Sequence, residues 1–174
     1  MKLIKDLPAI FDEFSQARRS GFRLAHELKE QNIPLVGTYC TYMPQEIPMA
    51  AGAAVVSLCS TSDETIGEAE KDLPRNLCPL SKSSYGFGKT DKCPYFYFSD
   101  LIVGETTCDG KKKMYEYMAE FKSVHVMQLP NTPVGDDAMH LWRNEIRRLA
   151  DVVGERFKND ITEEKLQEAV VLKN

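Results

Sequence analysis

Five cysteines, Cys40, Cys59, Cys78, Cys93 and Cys108, offer the most chemistry in this 174-residue chain, and the last three stand fifteen residues apart. No two are separated by only two residues, so the paired ligands of a structural zinc site are missing. Cys59 closes the apolar run 53–59 and reads as a small core residue. Cys78, Cys93 and Cys108 lie among glycine, serine, lysine and proline, where burial has no need of a thiol. Cys78 and Cys93 each precede proline, a residue favoured in a first helical turn, and Cys108 precedes a helical pattern. Thiolates at helix N-termini are stabilised by unpaired N–H groups, which suits a metal ligand or a nucleophile. Single cysteines on separate loops fit an iron–sulfur cluster better than a single ion.

Positioning such thiols requires a scaffold. Apolar residues at helical spacing over 8–31, including Ile10, Phe11, Phe14, Ala17, Phe22, Leu24, Ala25 and Leu28, predict one long amphipathic helix with a bend at Gly21. Short apolar runs at 33–39, 53–59, 101–103 and 124–129 read as four strands. Helices are expected over 44–52, 109–121 and 136–157, and from Thr162 onward; on 136–157, Leu141, Trp142, Ile146, Leu149, Val152 and Val153 form one stripe. Strands that are apolar throughout and alternate with helices belong to a mostly parallel sheet covered on both faces. The expected fold is therefore a doubly wound α/β domain, Rossmann- or flavodoxin-like, spanning 1–174. In such sheets ligands bind beyond the carboxyl ends of the strands, and Cys40, Cys59 and Cys108 all fall there.

Composition narrows the function. Net charge is −4 and the longest basic run is Lys111-Lys112-Lys113, which argues against nucleic acid. Residues 1–8 lack the apolar core of a signal peptide, and no apolar run is long enough for a bilayer. A cytoplasmic location is expected, with thiols kept reduced rather than paired as disulfides. Of the three histidines, His26 and His140 read as helix-surface residues and His125 as a satisfied interior residue on a strand; Trp142 reads as core packing.

The segments 37–53 (GTYCTYMPQEIPMAAGA), 76–79 (NLCP), 99–114 (SDLIVGETTCDGKKKM) and 129–133 (LPNTP) resemble, in that order, the N-terminal half of the 2-hydroxyacyl-CoA dehydratase and benzoyl-CoA reductase family. The resemblance implies a second α/β domain beyond these 174 residues and a 4Fe–4S cluster between the halves, with Cys78 and Cys108 as ligands and a third cysteine from the other half. It implies a lyase of anaerobic metabolism that removes water from a 2-hydroxyacyl-CoA by a radical route to give an enoyl-CoA. An ATP-hydrolysing activator protein would supply the electron, and the partner subunit would be a sister chain or an identical copy.

Within that resemblance Glu46 is the candidate proton-transfer group, although a first-turn carboxylate also favours a helix dipole. Cys40 lies in the same strand-end loop and is the second candidate catalytic residue. Lys111, Lys112 and Lys113 could meet coenzyme A phosphates, against the plainer reading of a solvated helix face. Cys93 departs from the dehydratase pattern and is closer to the branch carrying a double-cubane Fe8S9 cluster, where Cys78, Cys93 and Cys108 would be three of six ligands in a reductase of small molecules. The remaining alternative is a non-enzymatic fragment whose thiols are structural and which holds no cluster.

Overall fold

The computed structural model describes residues 10–174. Its elements run α1 (Ile10–Glu30), β1 (Leu35–Thr38), α2 (Glu46–Ala50), β2 (Ala54–Ser57), α3 (Ile66–Ala69), α4 (Pro79–Lys89), α5 (Pro94–Phe98), β3 (Leu101–Glu105), α6 (Asp109–Met118), β4 (Val124–Met127), α7 (Asp136–Phe157) and α8 (Glu163–Lys173). The four strands form one sheet in the order β2-β1-β3-β4, every neighbouring pair parallel. This is the expected doubly wound α/β arrangement. The chain leaves β1 toward one edge and returns at β3 on the other side, so the topological switch point lies between β1 and β3.

Alternation along the strands gives each face its own core. Val36, Leu101, Val103 and Met127 pack with Ile47, Leu149 and Val153 beneath α2 and α7. Tyr39, Leu58 and Ile102 pack with Tyr85, Phe96, Met114, Tyr115 and Met118 on the other face. The central strands β1 and β3 are wholly buried, while the edge strands β2 and β4 are only half-buried. Gly104 lets the Tyr115 ring lie on the sheet: a Cβ there would stand 2.3 Å from Tyr115 Cζ.

Several sequence expectations are refined. The helix start at Pro8, the reading of residues 1–8 and the side chains of Phe11 and Phe14 lie outside the described residues. α1 runs unbroken through Gly21, which serves close packing instead of a bend: a Cβ there would stand 2.3 Å from the Tyr95 hydroxyl of α5. Ile10, Ala17 and Leu24 face solvent, leaving Phe22, Ala25 and Leu28 as the described apolar residues of α1 turned inward. The long helix α7 has the expected bounds, and Thr162 caps α8 by accepting the Lys165 N–H at 3.3 Å.

Three helices, α3, α4 and α5, escaped the periodicity reading. α3 and α5 are too short to show a period. α4 buries Ser81, Lys82, Ser83 and Ser84, residues that a hydrophobic pattern assigns to the surface. Their burial is matched by bonding: Ser83 Oγ donates to Ser60 Oγ at 2.9 Å, Ser84 Oγ accepts the Ser60 N–H at 3.2 Å, and Lys82 Nζ donates to Glu70 Oε1 at 2.7 Å.

Candidate functional site

The carboxyl ends of β1, β2 and β3 deliver Cys40, Cys59 and Cys108 to one end of the sheet. Cys40 follows β1 with φ +71°, a left-handed conformation uncommon for a side chain other than glycine, asparagine or aspartate. Its sulfur lies 3.4 Å from Thr107 Oγ1, across the switch point, and accepts a hydrogen bond from Lys111 Nζ. Cys59 is solvent-exposed, which corrects its assignment to the core. The run that it closes belongs to an edge strand, and burial fades where the sheet ends.

Cys78 and Cys108 are N-caps of α4 and α6, and both thiols are exposed. The two helix N-termini meet: a Cβ on Gly110 would stand 3.2 Å from Leu77 Cδ1 and 3.6 Å from Ser81 Oγ. Residues flanking one thiol therefore touch residues flanking the other. The Ser81 N–H, then the Leu80 N–H, hold the Cys78 thiol below its ordinary pKa, with help from the Ser81 hydroxyl and the Lys111 charge. Ser81 Oγ is itself buried and has no full hydrogen-bond partner among the described residues.

Cys93 takes a different position. It caps α5, its sulfur accepts the Phe96 N–H at 3.4 Å, and it packs half-buried against the second core. With Cys59 it lines a cleft that also includes Ser60, Lys92 and Tyr95.

The three lysines separate. Lys112 pairs with Asp109 at 3.2 Å and Lys113 with Glu116, each within its own helix turn and half exposed. Lys111 turns inward instead, so the solvated-face reading fails for it. Burial pulls its pKa down, but the Cys40 hydrogen bond and the charges of Cys40, Cys59 and Cys108 outweigh that and raise it.

Glu46 opens α2, half-buried. The carboxylate that reaches the thiol-bearing loop is another one, Glu105, fully buried at the end of β3. Its Oε1 accepts the Met43 N–H at 2.6 Å, while Oε2 is buried without a partner among the described residues. Burial raises its pKa, against the lowering effect of the Met43, Tyr42 and Thr41 N–H groups and of Lys111. Sequence reasoning passed over Glu105 because it sits in an apolar strand; a carboxylate at the end of a buried parallel strand was the signal available.

His125 is buried as expected, yet its Nε2 has no partner among the described residues, so it is not a satisfied interior residue. His26 lies exposed beside Glu30, and His140 is exposed. Trp142 packs half-buried against the first core and also lines an apolar groove with Tyr42, Leu129, Pro133 and Met139.

No three His, Cys, Asp or Glu side chains converge to hold a single metal ion among the described residues. A cluster distributes its thiolates over separate irons and does not require such convergence. Two exposed thiols capping helices whose N-termini meet, the Cys78 one biased toward thiolate, with a buried hydroxyl lacking a full partner and an inward lysine nearby, fit such a group. No helix among the described residues is long and apolar enough to cross a membrane.

Comparison with known proteins places this geometry in context. Residues 40–174 match the family model described as 2-hydroxyglutaryl-CoA dehydratase, D-component. Over its full length the chain is 74% identical to an Escherichia coli (strain K12) protein named "Putative dehydratase subunit YjiM", of which it covers 45%. The chain thus spans under half the length of that curated relative.

Proposed function

The chain belongs to the 2-hydroxyglutaryl-CoA dehydratase D-component family, and from that membership we propose that it is the thiolate-bearing half of an iron–sulfur enzyme acting on a 2-hydroxyacyl-CoA. Cys78 and Cys108 hold a 4Fe–4S cluster, with further ligation from a second domain outside these residues. The observation that supports this reading is the meeting at Gly110 of the N-termini of α4 and α6, the two helices that Cys78 and Cys108 cap.

When bound, the cluster supplies a low-potential electron and Lewis acidity for removing the 2-hydroxyl group as water. The residues of this chain prepare the place. The N–H groups of Leu80 and Ser81 favour the Cys78 thiolate, and the Lys111 ammonium offsets the negative charge gathered there. Glu105 fixes the loop after β1 through the backbone of Met43, which keeps Cys40 and Lys111 in register. Glu46 remains the proposed proton-transfer group, and Cys40 a neighbouring thiol that Lys111 orients. The electron comes from an ATP-hydrolysing activator protein, and the assembly includes a sister subunit or second copy; the relative's own name as a subunit supports an assembly.

Anaerobic iron and sulfide analysis with EPR, on this chain and on the longer protein, tests the reading. About four irons per long chain are expected, lost together with enoyl-CoA formation in Cys78→Ser and Cys108→Ser. Retained activity with either cysteine gone would overturn it. About eight irons would favour the double-cubane reductase and give Cys93 a ligand role; no iron in either protein would leave the thiols structural.

A further inference from the structure

We propose that the groove along the open edge of β4, between α6 and α7, binds an anionic ligand of the phosphate class. Among the described residues β4 pairs only with β3, so its far side is unpaired there and forms the floor of a groove of about 690 Å³. The polar side chains lining it are Thr106, Lys112, His125, Gln128, Asn131 and Arg148. Each can donate a hydrogen bond, and no carboxylate lines the groove among the described residues.

The surrounding bonds leave those donors available. Thr106 Oγ1 accepts the Leu129 N–H at 2.8 Å, which leaves its own O–H free to point into the groove. Glu145 is buried beneath: its Oε2 accepts the Gln128 N–H at 2.8 Å and its Oε1 accepts one Arg148 N–H at 2.8 Å. The carboxylate thereby holds the guanidinium by one N–H while the others face outward, on a side chain 54% exposed. Among the described residues Lys112 is tied only to the fully exposed Asp109, at 3.2 Å. Its ammonium can turn to a ligand.

His125 supplies the independent observation. It is 8% exposed, lines the groove, and its Nε2 is buried without a partner among the described residues. A buried polar atom left unpaired costs free energy in the empty protein, and a small turn of the ring that brought Nε2 to a ligand oxygen in the groove would recover it. Two cations, a buried imidazole and three neutral donors around one space match the oxygens of a phosphate, and the volume accommodates more than orthophosphate. The inference stands apart from the iron–sulfur reading, because no iron enters it or its test.

The test is titration of the 174-residue chain with inorganic phosphate, pyrophosphate and coenzyme A at constant ionic strength, followed by calorimetry and by NMR of the His125 ring and Arg148 guanidinium. Saturable binding that shifts both resonances is expected, weakened by about tenfold or more in Arg148→Gln and in Lys112→Ala. Should Arg148→Gln disturb the fold by freeing Glu145, Lys112→Ala still reports, since that side chain bonds only an exposed partner. Saturation by inorganic phosphate as tightly as by the larger molecules assigns the site to a free phosphate; preference for coenzyme A assigns it to a nucleotide phosphate. Binding untouched by both substitutions, or shifts spread evenly over surface lysines, would overturn the proposal.

Discussion

Lys111 Nζ donates to Cys40 Sγ across 71 residues of sequence, joining the first turns of α6 to the loop after β1 at the switch point of the sheet. The charges of Cys40, Cys59 and Cys108 all act on that ammonium, and it acts on Cys78. A fixed cation beside a bound cluster would stabilise whichever redox state carries more negative charge. In the iron-loaded long protein, Lys111→Gln should lower the reduction potential by on the order of tens of millivolts. A redox titration monitored by EPR measures this, and an unchanged potential would show that Lys111 does not act on the cluster.

Glu105 makes stability depend on pH in one direction. Burial raises its pKa in the folded state, so between the ordinary carboxylate value and the raised one the folded chain holds a proton that the unfolded chain has lost. Its contribution is present below that window and declines as pH rises through it. Urea unfolding across this range should show the decline in the wild type and a flattened limb in Glu105→Gln, which keeps an acceptor for the Met43 N–H.

His125 acts in the opposite sense. Burial, reinforced by Arg148 and opposed by Glu145, lowers its pKa below the ordinary value of 6.5. As pH falls through 6.5 the unfolded chain takes up the proton first, so stability drops toward the lower folded value. Substitution by glutamine should remove that acid limb from the unfolding midpoint; a limb that persists would assign it to another group.

Gly86 sets how closely α4 approaches α3. A Cβ there would stand 2.3 Å from the backbone oxygen of Thr65, an atom that cannot swing aside. Alanine gains about 1 kcal/mol of helix propensity but overpacks a backbone contact at a cost of about 1–3 kcal/mol, so Gly86→Ala should be net destabilising. Because α4 carries Cys78 at its start, the variant should also hold less iron in the long protein at equal protein concentration.

Much of the scaffold was legible because its signals are local. Four short apolar runs separated by helical patterns gave the parallel sheet, and the bounds of α7 follow from its stripe. Pro79 and Pro94 marked helix starts, and with them the cap positions of Cys78 and Cys93. Beyond that start the body of α4 was not legible, since its serines are buried through bonds to the loop around Ser60 and not through apolar contact.

The sequence by itself determined which residues can bear the chemistry and that most of them fall at the carboxyl ends of strands. Only the tertiary structure decided which ones meet. Cys59 is exposed because β2 is an edge strand, and strand order is not written in any one segment. Lys111, Lys112 and Lys113 are identical in type, but each helical step turns the side chain by about 100°, and only the loop arriving from β1 defines the inward direction. Glu105 is a buried carboxylate because the backbone of Met43, 62 residues away, supplies its hydrogen bond. Composition and periodicity act over a few residues, whereas burial, charge and hydrogen bonding at a site are sums over everything that the fold brings within a few ångströms.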